Sequence, residues 1–304
     1  VGYSCVTTVL APTASANLTS LTQAKVELSI NSTDTSKDAW LNQAITQVSK
    51  GIARYCKRDF APQQYQDVFD VEQDPFPWQT PGGFKQLELS HWPVLQVSSV
   101  IQTLAVGVTP AAQTLVAGTD YRLDGLTGRL VRLNPFTGTA TLWEAIPVTV
   151  IYSAGYGALV TETDSVLAST PYTVTVSQAA AFSCDLGVAY AGGPALTPVA
   201  ANPGHGQYSV SASTGVYSFN AADAGQGLTF AYATAAIPDD LTEQCLRLVT
   251  GRYQAKDRDP ALIMRDTPGV GTQRWWFGGS PGQKGAFPPD IEAALDDYRV
   301  PTVA

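Results

Sequence analysis

Residues 278–282 read Gly278-Gly279-Ser280-Pro281-Gly282, the spacing of a hydrolase nucleophile elbow, in which a serine on a sharp turn is presented for attack. That chemistry needs the backbone N–H after the serine as an oxyanion donor. Pro281 has no N–H, so the sequence argues against catalysis at Ser280. The two histidines, His91 and His205, have no Asp, Ser or Cys at a useful spacing, and they read as strand-edge and turn residues. Cys5, Cys56, Cys184 and Cys245 are too widely spread for a disulfide scaffold or a zinc site and read as buried thiols. The pairs Asp239-Asp240 and Asp296-Asp297 are adjacent on predicted helices and so point to different sides, which suits charges at helix ends rather than acid–base work. Asn17-Leu18-Thr19 and Asn31-Ser32-Thr33 match the glycosylation sequon by chance. No catalytic, cofactor or metal residue is expected, and the chain reads as non-enzymatic.

The residue types that point somewhere are suited to binding. Arg247, Arg252, Lys256, Arg258, Arg265, Arg274 and Lys284 face only Asp257, Asp259 and Asp266 between positions 247 and 288, in a chain that carries −8 overall. Such a local reversal of sign suits docking on an acidic partner. Trp275, Trp276 and Phe277 lie between Gly271 and Gly278-Gly279, where no element is expected to bury them, and loop aromatics of this kind are typical interface anchors. The Gly and Pro density from Pro268 to Pro289 predicts an arm that becomes ordered on assembly. The candidate partner-binding set is therefore Arg252, Lys256, Arg258, Arg265, Arg274, Trp275, Trp276, Phe277 and Lys284.

Two helices and a set of strands must position that arm. Leu41, Ile45, Val48, Ile52 and Tyr55 recur at helical spacing and predict a helix over Ser36 to Lys57, with Thr35 and Asp38 as a capping box and a shorter helix near Leu21 to Leu28 before it. A second amphipathic helix starts at Pro238, with Asp239, Asp240 and Glu243 at its positive end and Leu241, Cys245, Leu248, Arg252 and Tyr253 along its stripe. Strands are predicted over Gln86 to Leu89, Val97 to Leu104 and Val148 to Ser153, with a hairpin from Asp120 to Leu133 turning at Asp124-Gly125-Leu126-Thr127-Gly128. From Ala158 to Ala235 there is no Lys or Arg, while Glu162, Asp164, Asp185 and Asp223 give −4, and period-two alternation at Tyr172/Val174/Val176, Tyr208/Val210, Tyr217/Phe219 and Leu228/Phe230/Tyr232 predicts a small all-β module.

The expected architecture is α+β. A helical connector core with a sheet and hairpin region, residues 1–157 and 236–304, carries an inserted sandwich-like domain, residues 158–235. At 304 residues, 44% hydrophobic and 14% charged, the chain can bury a substantial core and has no apolar run near the roughly 20 residues of a membrane span. The segment Val1 to Ala16 lacks the cationic start of a secretory signal and reads as a mature cytoplasmic N-terminus with its initiator Met removed. With 18 Lys plus Arg against 26 Asp plus Glu, affinity for DNA through phosphate neutralisation is disfavoured.

With the module set aside, the chain resembles the connector (head-completion adaptor) family of long-tailed bacteriophages. The resemblance rests on Leu21-Thr22-Gln23-Ala24-Lys25, Tyr55-Cys56-Lys57-Arg58, Leu87-Glu88-Leu89 running into Trp92-Pro93-Val94, and Val97-Ser98-Ser99-Val100. It continues through Tyr121-Arg122-Leu123 with Gly128-Arg129-Leu130, Val148-Thr149-Val150, Ala154-Gly155-Tyr156-Gly157, Ile237-Pro238-Asp239-Asp240-Leu241 and the closing Ile291 to Arg299. It implies no catalytic residues and no cofactor. It also implies a ring, usually of about twelve copies, beneath the portal protein at the capsid vertex, with a stopper or tail component below and double-stranded DNA passing without specific binding. The implied location is the virion neck, and the host cytoplasm during assembly. The compact family members lack the all-β module. A stopper or tail-completion protein is the nearest alternative role. A host- or glycan-binding module with Tyr172, Tyr190, Tyr208, Tyr217 and Tyr232 as a stacking surface is another, and a hydrolase using Ser280 is a third.

Overall fold

The computed structural model describes residues 3–71, 83–84, 86–104, 111–144, 147–256, 264–267, 271–274 and 287–300. Among the described residues there are nineteen strands and four α-helices, α1 (Leu21–Glu27), α2 (Asp38–Cys56), α3 (Asp239–Ala255) and α4 (Pro289–Asp296). The expectation of a helical connector core with a small inserted domain is therefore corrected: the chain is mostly β. The predicted helices form, but three stretches given no element by the sequence, Tyr3–Ala11, Gln63–Val71 and Ala111–Thr114, are strands of the largest sheet.

The chain divides into two compact units, Val1–Ser15 with Ala61–Ala236, and Ala16–Phe60 with Ile237–Ala304. In the first, a five-stranded antiparallel sheet runs in the order Tyr3–Ala11, Gln63–Val71, Val148–Ala154, Val94–Leu104, Ala111–Thr114. Its inner face packs Tyr65, Phe69, Val100, Val150 and Tyr152 against Leu87, Leu130 and Trp143 of the neighbouring small strands. Tyr65, Asp67 and Phe69 alternate inward along one strand. The carboxylate among them is fully buried, and its Oδ2 accepts from Tyr152 Oη at 2.9 Å and Ser90 N at 2.8 Å.

The predicted hairpin pairs Tyr121–Asp124 with Arg129–Arg132. Only Gly128 of its two glycines takes a positive φ, 68°. The rest of the turn is organised by Asp124, which accepts from Leu126 N and Thr127 Oγ1 at 3.2 and 2.7 Å.

Residues 157–235 form two small sheets, ordered Gly157–Ser165, Gly227–Ala235, Phe182–Tyr190 and Thr173–Thr175, Val216–Phe219, Gln207–Ser211, Thr197–Pro198. Val174, Tyr208, Tyr217, Phe219, Leu228, Phe230 and Tyr232, the alternating residues of the sequence pattern, make the shared core. The stretch begins and ends on paired strands, with Gly157 opposite Ala235. Two glycines permit the close approach: Gly155 has φ 134°, where a Cβ would sit 2.7 Å from Pro62, and a Cβ on Gly157 would strike the Thr234 carbonyl.

In the second unit the helices pack through Leu41, Ile45, Val48 and Ile52 of α2, Leu241, Cys245 and Val249 of α3, and Ile291 and Leu295 of α4. Each such Leu, Ile or Val contributes about 1.5–3 kcal/mol on burial before entropy is charged. The phase of α3 differs slightly from the sequence stripe: Gln244 and Val249 are buried, Leu248 is half-buried and Arg252 is exposed. The capping box lies at Ser20 and Gln23 of α1 rather than at Thr35. The N-cap of α2 is Lys37, and Asp38 instead pairs at 2.6 Å with the buried Lys25. No helix among the described residues is long and apolar enough to cross a membrane.

Candidate partner-binding surface

Helix α3 delivers the first cations of the basic stretch, because its buried stripe ends at Val249 and leaves the last turn free to turn outward. Its start is fixed by Thr242 Oγ1 donating to Leu18 O at 3.0 Å and by Tyr298 Oη donating to Asp240 Oδ2 at 2.6 Å. Midway, Arg247 pairs with Asp290 at 3.4 Å, so this cation is spent inside the unit.

Arg252 and Lys256 are not spent in that way. Among the described residues neither pairs with a carboxylate. Arg252 Nη1 donates to the neutral Gln47 Oε1 at 3.2 Å, and Lys256 Nζ lies 4.4 Å from the Tyr253 ring centroid. Tyr253 in turn meets Trp40 of α2 edge-to-face at 5.6 Å. Trp40, Gln43, Ala44, Gln47 and Arg252 line a shallow cavity of about 150 Å³. The result is an aromatic and amide surface with two exposed cations along it, suited to receiving carboxylates of an acidic partner. The sequence singled out Arg252 and Lys256 but not Trp40, Gln43 or Gln47. Their spacing of three and four on the polar side of α2 was the available signal.

Arg265 and Arg274 lie on two antiparallel strands, Met264–Thr267 and Gly271–Arg274, with Arg265 in register with Gln273 and Arg274 with Met264. No element is expected there from the sequence pattern. Arg258, Trp275, Trp276, Phe277 and Lys284, and the elbow-like Gly278 to Gly282, lie outside the described residues.

Other chemistry-bearing residues among the described ones are engaged in contacts within the chain. Asp223 is fully buried, and its Oδ1 bonds His205 Nδ1 at 2.7 Å and Tyr190 Oη at 2.6 Å, a partnership eighteen residues apart that sequence spacing did not reveal. The bond to Asp223, then burial, pushes the Tyr190 phenol up to about 12. The Asp223–His205–Tyr190 group pins the Pro203–Gly206 turn, which Asn220 Nδ2 also holds through Pro203 O at 3.0 Å. His91 stacks on Tyr65 with centroids 3.9 Å apart. Asp296 accepts from Tyr55 Oη at 2.8 Å.

All four cysteines are free; three are buried and Cys5 is half-buried. Burial raises Cys56 and Cys245 to about 11 and Cys184 to about 12, which keeps them as thiols at neutral pH. Among the described residues no cluster could hold a metal ion. The tyrosine stacking surface is corrected: Tyr208, Tyr217 and Tyr232 are core residues with at most 1% exposure, so they cannot stack on a glycan.

No family model and no curated protein matches the chain. Among solved structures it is similar to a chain in the neck of an empty gene transfer agent particle, at 12% identity and TM-score 0.41, over 100% of this chain and 98% of that one. It is likewise similar to a chain in the virion of a native gene transfer agent particle, at 12% identity and TM-score 0.40, with the same coverage. Likeness at this level identifies neither a family nor an activity.

Proposed function

We propose that this chain is a non-enzymatic structural subunit of a phage-type neck, a head-to-tail connector that works as one copy in a ring of about twelve beneath a portal protein. The observation that carries this reading is the placement of the residues behind the connector resemblance. Leu21–Lys25 fall in α1, Tyr55-Cys56 end α2, and Tyr121–Leu123 and Gly128–Leu130 flank one hairpin. Asp239–Leu241 open α3, and Ile291 and Leu295 of α4 pack in the same unit as α2. Segments about 180 residues apart in the chain thus share one compact unit, which supports this reading.

In this reading Arg252 and Lys256, with the basic and aromatic residues that follow them, dock on an acidic face of the portal, and residues 158–235 are an inserted domain. A stopper or tail component attaches below. If twelve copies each carry −8, the ring holds on the order of a hundred negative charges. Such a wall repels duplex DNA and lets it pass without binding. The test is native mass spectrometry and electron microscopy of the chain alone and with its portal protein. A ring on the portal is expected; a chain that stays monomeric on every portal surface, or that turns over a small molecule alone, overturns the proposal.

A further inference from the structure

The five-stranded sheet ends on one side in Tyr3–Ala11, nine residues whose outer edge pairs with nothing among the described residues. A row of open N–H and C=O groups of this length is a template for another strand, and monomeric proteins guard such edges with Lys, Pro or charge. This one has no such residue, and its one register shift is confined to its end, between Val9 and Ala11: it reads Tyr-Ser-Cys-Val-Thr-Thr-Val-Leu-Ala. Val6, Val9 and Leu10 are exposed by 63%, 46% and 43%.

We infer that this edge is a contact between copies, in which Tyr3–Ala11 of one subunit extends the sheet of the next by pairing with its opposite edge, Ala111–Thr114. The inference rests on the ring reading above and names the surface that joins its subunits. Charge selects the occupant. The chain carries −8, so two copies repel wherever their charges face each other. The segments 3–11 and 111–119 contain no Asp, Glu, Lys or Arg, so two acidic copies can meet there unopposed. A nucleic acid or a strongly charged partner finds nothing to grip at either edge. A ring also needs a heterologous contact made from two different surfaces of one chain, and the two ends of a single sheet supply that pair.

The test is amide hydrogen exchange on the full chain, free and assembled with its portal protein, alongside the double variant Val6→Lys with Thr8→Lys. Both residues are exposed, so the variant monomer should melt like the wild type. Lysine also lowers the net negative charge, so weakened assembly cannot be blamed on added repulsion. Exchange at residues 4–10 and 112–114 should slow at least about tenfold on assembly, and the variant should assemble at least about tenfold more weakly. Rings that form with unchanged exchange at these amides, or that the variant forms equally well, overturn this inference and leave the connector reading intact. Protection at 4–10 alone, in a dimer, overturns the head-to-tail pairing. Protection only where the portal touches overturns the assignment of the edge to a second copy. Absence of any ring overturns the connector reading itself.

Discussion

Asp185 offers a quantitative check on how the all-β stretch is held together. Its Oδ2 accepts from Tyr208 Oη at 2.6 Å, and its Oδ1 accepts from Tyr217 Oη at 2.8 Å and from Gly187 N at 3.1 Å. Removing either phenolic oxygen by Tyr→Phe leaves no cavity, so the cost is the lost charge-assisted bond, about 1.5–3 kcal/mol. The two losses should differ. After Tyr217→Phe, Oδ1 keeps Gly187, which places the cost near the lower end, about 1.5 kcal/mol. After Tyr208→Phe, Oδ2 has no other partner among the described residues, which places it near about 3 kcal/mol. In an Asp185→Ala background the Tyr208 hydroxyl is an orphan, and deleting it should cost under about 0.5 kcal/mol, for a coupling of about 2–3 kcal/mol. Native-state amide exchange at Leu228, Phe230 and Tyr232, in mildly alkaline buffer, reads the local stability directly. Equal or reversed costs for the two tyrosines, or a coupling near zero, would refute the claim that this carboxylate ties the two sheets through its phenols.

The pH dependence of the same group has a definite sign. Desolvation raises Asp185 above its ordinary 3.8. The proton-linked part of its contribution is therefore fully present below pH 3.8 and is lost as pH rises through the elevated folded value, while the hydrogen bonds to the ionised carboxylate remain. Wild-type stability measured against Asp185→Asn should fall as pH rises from about 4 and then level off; a flat or rising difference contradicts the burial argument. Gly157→Ala should cost at least about 2 kcal/mol in thermal melts, since its Cβ meets the Thr234 backbone, and an unchanged melt would show that the paired strands can part. Lys25→Ala should cost about 2–3 kcal/mol because it strands Asp38, a quarter exposed, without its partner. Arg252→Glu with Lys256→Glu should leave the melt within about 0.5 kcal/mol of wild type and abolish co-purification with the portal protein; undiminished binding would exclude this surface.

The helices were legible because their apolar residues recur at a period that few polar residues interrupt: Leu41, Ile45, Val48 and Ile52 are all buried. The alternating pairs from Tyr208 to Tyr232 were legible for the same reason. Gln63–Val71 was not, although it is central to the largest sheet. Its inward row reads Tyr65-Asp67-Phe69, and a carboxylate at a core position hides a strand unless its partners, Tyr152 and Ser90, can be foreseen. Tyr3–Ala11 was hidden by its threonines and serine, which weaken the apolar alternation. At the candidate surface, local sign reversal pointed to Arg252 and Lys256. The Trp40 and Gln47 that frame them come from a helix about 200 residues earlier, a distance no local pattern spans.

The all-β stretch touches the larger sheet by more than its two covalent ends. Ser183 Oγ donates to Pro62 O at 2.8 Å, Ser183 O accepts from Ala14 N at 2.6 Å, and Thr13 Oγ1 meets Ser183 Oγ at 2.9 Å. With its entry and exit at Gly157 and Ala235 as one footing and Ser183 as a second, it cannot swivel like a bead on a tether. Displacing the stretch as a unit would therefore require the Ser183 contacts to Pro62 and Ala14 to break along with the paired strands at its base.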